Sequence, residues 1–167
     1  MNTAEHIVSL FEKSIELKRK SIVLAPVIAV AAARLTASLV RGNKILICGN
    51  GGSAADAQHM AAELVNRFES ERPGLAAIAL TTDSSALTSI GNDSGFEQVF
   101  ARQVEAIGRT GDVLVAITTS GESANLRAAV ATARDRGIAV VALTGRDGGA
   151  IGRLCGAEDC EIRVPGH

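Results

Sequence analysis

The sequence predicts an α/β protein, a three-layer sandwich in which a five-stranded parallel sheet is covered by helices and preceded by two further helices. Three observations carry this. Short, continuously apolar runs at Lys44 to Cys48, Ala76 to Leu80, Val113 to Ile117 and Ile138 to Leu143 alternate with segments of helical periodicity. Runs of that kind suit strands buried on both faces, as in βαβ units. Several of them pass directly into loops of Gly, Ser and Thr, and parallel sheets bind their ligands at the carboxyl ends of the strands. At 167 residues the chain fits one domain, 1–167, large enough to bury a core.

Residues from about Thr3 to Ser21 place Ile7, Leu10, Phe11 and Ile15 on one stripe, with Lys18, Arg19 and Lys20 where a helix C-terminus favours positive charge. Pro26 opens a second helix to about Val40, stopped at Gly42. These helices (3–41) precede the α/β core (43–165), and their apolar stripes suit packing across the domain or against another copy of the chain. After the first strand a glycine turn leads into an alanine-rich helix reaching about Phe68. Pro73 and Gly74 mark the loop before the second strand, and Thr81 to Ser84 reads as a capped turn. Gly91 to Gly95 reads as a polar turn ahead of a helix bearing Phe96, Val99, Phe100, Val104 and Ile107. The third strand runs into Thr118 to Ser123, followed by a helix with Leu126, Ala129, Val130 and Ala133 that Gly137 stops. The fourth strand leads to Thr144-Gly145-Arg146-Asp147-Gly148-Gly149, a short helix and an edge strand from Asp159 to Val164. The expected strand order is 2-1-3-4-5.

Composition narrows the function. Aromatic residues are only 2% of the chain and the net charge is −1, so neither a stacking platform nor a broad basic field is present for nucleic acid. Three cysteines, Cys48, Cys155 and Cys160, lack C-x-x-C spacing and suit reduced, packed thiols of a cytoplasmic protein. The order Lys18-Arg19-Lys20, Ile22 to Val30, Ala31 to Ala33 imitates an export signal. Glu5, Glu12 and Glu16 precede it within a helical pattern, however, and the apolar run is short for a bilayer span.

The chemistry concentrates in Gly49-Asn50-Gly51-Gly52-Ser53 and the helix after it. Three glycines in four residues let backbone approach a ligand closely, and Ser53 is placed to cap a helix whose N-terminus favours an anion such as phosphate. On the same helix Asp56, His59 and Glu63 fall on roughly one face. Each feature also has a plainer reading, a tight connection and a solvated i,i+4 pair, and neither dinucleotide nor P-loop spacing is present. Thr118-Thr119-Ser120-Gly121-Glu122-Ser123 adds four hydroxyls in six residues before a helix N-terminus, where a cap needs one, which points to a small phosphorylated ligand.

Taken with Asp56-Ala57-Gln58-His59, Asn66-Arg67-Phe68, Gly91-Asn92-Asp93, Gly111-Asp112-Val113-Leu114 and Leu143 to Gly149, these loops make the chain resemble the sugar-isomerase (SIS) domain family, most closely its phosphoheptose isomerases. The resemblance covers nearly the whole chain. It implies a flavodoxin-like fold, a homotetramer, and conversion of sedoheptulose 7-phosphate to glycero-manno-heptose 7-phosphate for bacterial surface heptose. It further implies that Asn50, Gly51, Gly52, Ser53, Asn92, Asp93, Thr118, Thr119, Ser120 and Ser123 surround the substrate. Glu63 would be the catalytic base, with substrate contact, and His59 and Glu63 would bind zinc. Such a base suits the chemistry, since moving a carbonyl between neighbouring carbons needs a group that takes and returns a carbon-bound proton.

Two departures stand out. Glu122 occupies a place where the family commonly has Asn, putting a negative charge beside the expected phosphate. The family's last helix, with a Gln and a His that complete the metal and catalytic set, does not follow, and His167 does not match that position; slow turnover with intact phosphate binding is the expectation. Within the same family an adaptor that binds the bacterial replication initiator, or a sugar-phosphate-sensing module, is the competing reading, and retention of Glu63 favours the enzyme.

Overall fold

The computed structural model describes residues 2–166, which form one five-stranded sheet, seven helices and two 3-10 turns. Helix α1 (Thr3–Ser21) opens with a capping box, Asn2 Oδ1 accepting from the Glu5 N–H while Glu5 accepts from the Asn2 N–H. A 3-10 turn (Ile22–Leu24) joins it to α2 (Ala25–Val40), with Pro26 in the first turn of α2 where its missing N–H costs nothing. Together they form a 38-residue run, Thr3–Val40, long and apolar enough to cross a membrane, and so longer than the short apolar stretch predicts. Val27, Ala31, Leu35 and Leu39 nevertheless pack against the sheet, although only Ala31 and Ser38 of α2 are buried. Helix α1 buries none of its residues.

The sheet order is β2-β1-β3-β4-β5 with every pair parallel, as expected. Its strands are β1 (Ile45–Gly49), β2 (Ala77–Ala79), β3 (Val113–Ile117), β4 (Ala139–Thr144) and β5 (Cys160–Arg163). Alternate side chains face opposite layers. Leu46, Leu114 and Val140 point into one core with Leu126, Ala129 and Val130 of α6 (Ala124–Asp135), while Ile45, Val113 and Val141 face α2 and α3 (Gly52–Val65). The order of connections reverses between β1 and β3, so the crevice lies above their carboxyl ends.

Two expectations are corrected. The segment from Gly91 to Asp93 is helical and forms the end of α4 (Ser84–Ser94), because Asp83 caps that helix through the Ala86 N–H and Leu87 and Ile90 anchor it to the core. The turn comes at Gly95, φ +87, and the expected helix beyond it is a 3-10 turn (Phe96–Gln98) followed by α5 (Ala101–Ile107). Strand β2 is not fully buried: it is an edge strand of three residues whose Ile78 is exposed.

The end opposite the crevice is tied by a buried ion pair. Asp112 accepts from Lys44 Nζ at 2.6 Å, the Lys44 N–H at 3.0 Å and the Arg109 N–H at 2.8 Å, fixing the entries to β1 and β3 together.

Candidate functional site

Strand β1 delivers the glycine turn to the carboxyl edge of the sheet. Gly51, at φ 55 and ψ −120, is the residue ahead of α3, in a conformation that side chains with a Cβ rarely adopt. The helix thus starts two residues before the position that a Ser53 cap requires. Ser53 lies inside the first turn, its N–H donating to the Asn50 carbonyl at 3.0 Å, and it caps nothing.

The two loops expected to cooperate are joined by side chains. Asn50 Nδ2 donates to Asn125 Oδ1 at 2.9 Å and Asn125 Nδ2 returns a bond to Asn50 Oδ1 at 2.8 Å. The Leu126 N–H also donates to Asn125 Oδ1, at 3.0 Å, and Asn125 is only 3% exposed. The pair clamps the glycine turn to the first turn of α6 across the switch point. Asn50 therefore spends its amide on the protein. Asn125 is a member of the site that the sequence reading passed over, although its phase, four residues before buried Ala129, marks it as inward-facing.

In the hydroxyl loop, Thr118 Oγ1 accepts from the Gly121 N–H at 3.2 Å and Ser120 Oγ from the Glu122 N–H at 3.2 Å. A hydroxyl that accepts within its turn keeps its proton to donate outward. Ser123 precedes α6 without making a side-chain cap, so its hydroxyl is not spent on its own helix. Ser53, Asp56, Thr118, Thr119 and Gly145 line a cavity of about 280 Å³, walled on one side by Leu17 of α1.

Glu122 turns away from this cavity. Its Oε1 accepts from the Ala150 N–H at 2.9 Å and from Arg153 at 3.4 Å, capping α7 (Gly149–Leu154), so its charge is taken up at a helix N-terminus. Gly121 and Gly149 make this possible, since a Cβ on Gly121 would strike the Gly148 carbonyl and one on Gly149 the Ser120 carbonyl.

His59 and Glu63 lie further along α3 with Nε2 and Oε1 3.9 Å apart, their side chains 77% and 35% exposed. Neither lines the cavity, and nor do Asn92 and Asp93, which are exposed on the last turn of α4 and bonded to each other at 2.7 Å. Among the described residues no group of three or more His, Cys, Asp or Glu side chains is gathered to hold a metal. The donor set therefore fits a zinc ion only in part, because even a catalytic site takes three protein ligands and this pair supplies two. His167 lies outside the described residues. All three cysteines are free, and burial pushes the Cys48 thiol up to about 12.

Comparison with known proteins agrees with this geometry. The SIS domain matches residues 11–145. A phosphoheptose isomerase of Alkalilimnicola ehrlichii is 55% identical over 99% of this chain and 85% of its own length. Two solved phosphoheptose isomerases superpose closely. That of Neisseria gonorrhoeae has a TM-score of 0.94 and 48% identity over 99% of this chain and 88% of its own. That of Francisella tularensis has a TM-score of 0.96 and 47% identity over 99% and 87%. The sheet order, the paired loops above its switch point and these full-length matches together show that the chain belongs to the SIS domain family.

Proposed function

We propose that the protein is a phosphoheptose isomerase, interconverting sedoheptulose 7-phosphate and D-glycero-D-manno-heptose 7-phosphate. The observation that carries the reading is the clamped pair of loops, a glycine turn and a hydroxyl loop on two helix N-termini, with a carboxylate on the outer stripe of the same helix. Asp56 at the cavity and Glu63 are seven residues apart, about 10 Å of helix. An extended seven-carbon chain with its phosphate covers about 10 Å as well, at roughly 1.25 Å of advance per bond. In this reading the phosphate, donated to by the hydroxyls of Thr118, Thr119, Ser120 and Ser123, lies at the Asp56 end of α3 and the C1–C2 end extends toward Glu63.

In the forward direction the Glu63 carboxylate takes a proton from C1 of the ketose. The C–H electron pair becomes the C1–C2 double bond, and the C2 carbonyl electrons move onto its oxygen. A proton passes from the C1 hydroxyl to that oxygen, the C1 carbonyl forms, and Glu63 returns its proton to C2. Backbone N–H groups of Gly51 and Gly52 and the carboxamide and carboxylate of Asn92 and Asp93 are the further substrate contacts in this reading. His59 and Glu63 would supply two of the three protein ligands that a catalytic zinc takes. The product suits synthesis of bacterial surface heptose in the cytoplasm.

The proposed assembly is a homotetramer, supported by the stripe of Ile7, Leu10, Phe11 and Ile15 on α1, each about half exposed or more among the described residues. Light scattering at micromolar concentration tests this, a monomer being the contrary result. The activity is tested by following heptose 7-phosphate formation. Glu63→Gln abolishes turnover and keeps the phosphate-dependent rise in melting temperature; undiminished turnover in that variant contradicts the assignment.

A further inference from the structure

The geometry points to Arg146 as a further anion-binding residue, one that supplies the positive charge the two loops lack; this rests on the isomerase reading. The cavity lining contains one charged residue, Asp56, and it has the sign of the substrate's phosphate. Among the described residues Arg146 is the one Lys or Arg in the loops that follow the five strands. Three nearby cations are engaged elsewhere, Arg153 with Glu122, Arg163 with Glu161 and Lys20 with Glu16, while Lys13 of α1 lines a separate surface depression with Lys20 and Pro165. Arg146 is exposed and makes no side-chain hydrogen bond or ion pair among the described residues.

Its backbone is held at the rim of the site. Gly145, which lines the cavity, packs on the Thr119 carbonyl, where a Cβ would come to 2.9 Å. The Arg146 N–H donates to the carbonyl of Gly166, another cavity residue, at 3.1 Å. The next Cα lies about 3.8 Å further on, so the long arginine side chain starts within its own reach of the hydroxyl loop. Arg146 also has φ 51, in the left-handed region. Among the described residues eight glycines and Glu69 fill the other such positions, the glycines at no steric cost. A side chain kept at a strained position beside a binding loop, with no partner among the described residues, is accounted for by a ligand. A guanidinium there offers a planar pair of donors to two phosphate oxygens.

The test titrates inorganic phosphate in a melting-temperature assay and measures kcat and KM with sedoheptulose 7-phosphate. Arg146→Gln is expected to weaken phosphate about tenfold and to raise KM about as much, with kcat within about twofold, since the contact is made equally before and during reaction. Arg146→Lys keeps most of the affinity. Arg146→Gly melts about 2 °C higher without ligand, by release of the strained φ, yet binds phosphate as weakly as Arg146→Gln. Arg127→Gln removes the same charge from the first turn of α6 and serves as control. Equal losses from Arg127→Gln and Arg146→Gln, or unchanged phosphate binding in Arg146→Gln, overturn the inference while the parent's activity keeps the isomerase reading intact. A parent with neither turnover nor a phosphate-dependent shift removes both.

Discussion

The Asn50–Asn125 clamp makes a quantitative prediction. Asn125→Ala removes two bonds to Asn50 and the acceptor for the Leu126 N–H, at a position 3% exposed where water does not replace them. At about 1 kcal/mol for each bond the loss is about 3 kcal/mol, or a fall of about 6–12 °C in melting temperature for a domain of this size. Asn50→Ala removes the two shared bonds, about 2 kcal/mol. The double variant loses the shared bonds once, so it falls short of additivity by about 2 kcal/mol. The assay is urea denaturation of all four proteins at one fixed concentration, because assembly by mass action contributes to apparent stability. Additivity within about 0.5 kcal/mol would refute the clamp, and with it the claim that Asn50 serves the loop rather than the ligand.

Glu122→Ala, by uncapping α7, costs about 1 kcal/mol and leaves phosphate affinity unchanged or better; weakened phosphate binding would return Glu122 to the ligand side. Asp112→Ala strands Lys44 beside two unanswered N–H groups and costs about 3–5 kcal/mol by denaturant midpoint, whereas a surface pair costs under about 1. Burial pushes Cys48 up to about 12 and Cys155 up to about 11, the latter helped by Asp159 and Glu161, so the fold favours the protonated thiols. Their contribution is whole below the ordinary thiol value of 9.0 and is lost as pH rises from there toward 12; in Cys48→Ala the stability curve is flatter over that window, and an unchanged slope contradicts the burial effect.

The strands were legible because a two-sided sheet demands continuous apolar runs, and Val113 to Ile117 shows one without interruption. Helix α4 was not, since Gly91, Asn92 and Asp93 are poor helix formers and only the anchoring of Leu87 and Ile90 outweighs them. The order 2-1-3-4-5 puts Ala76 to Leu80 at the edge of the sheet, but its unbroken apolarity conceals that Ile78 faces outward. In the site, glycines and hydroxyls announced both loops through backbone and donor chemistry that is local to the chain. The partners of Asn50 and Glu122 are 75 and 28 residues away, and a bond over such a separation leaves no periodic trace. The start of α3 was misjudged because a hydroxyl outranked a glycine as a cap, when the positive φ at Gly51 had the stronger claim.

Leu17 belongs to a helix that buries nothing in its own chain, yet it forms a wall of the cavity and touches Gly166, another part of that wall. Whatever steadies α1 therefore steadies the site. In the proposed assembly, where other copies of the chain would cover the stripe of Ile7, Phe11 and Ile15, association and ligand binding would be reciprocally coupled, each raising the equilibrium constant of the other by the same factor. A sugar phosphate would then tighten the assembly, dilution would loosen the grip on the sugar phosphate, and an apparent affinity measured at one protein concentration would be a property of that concentration.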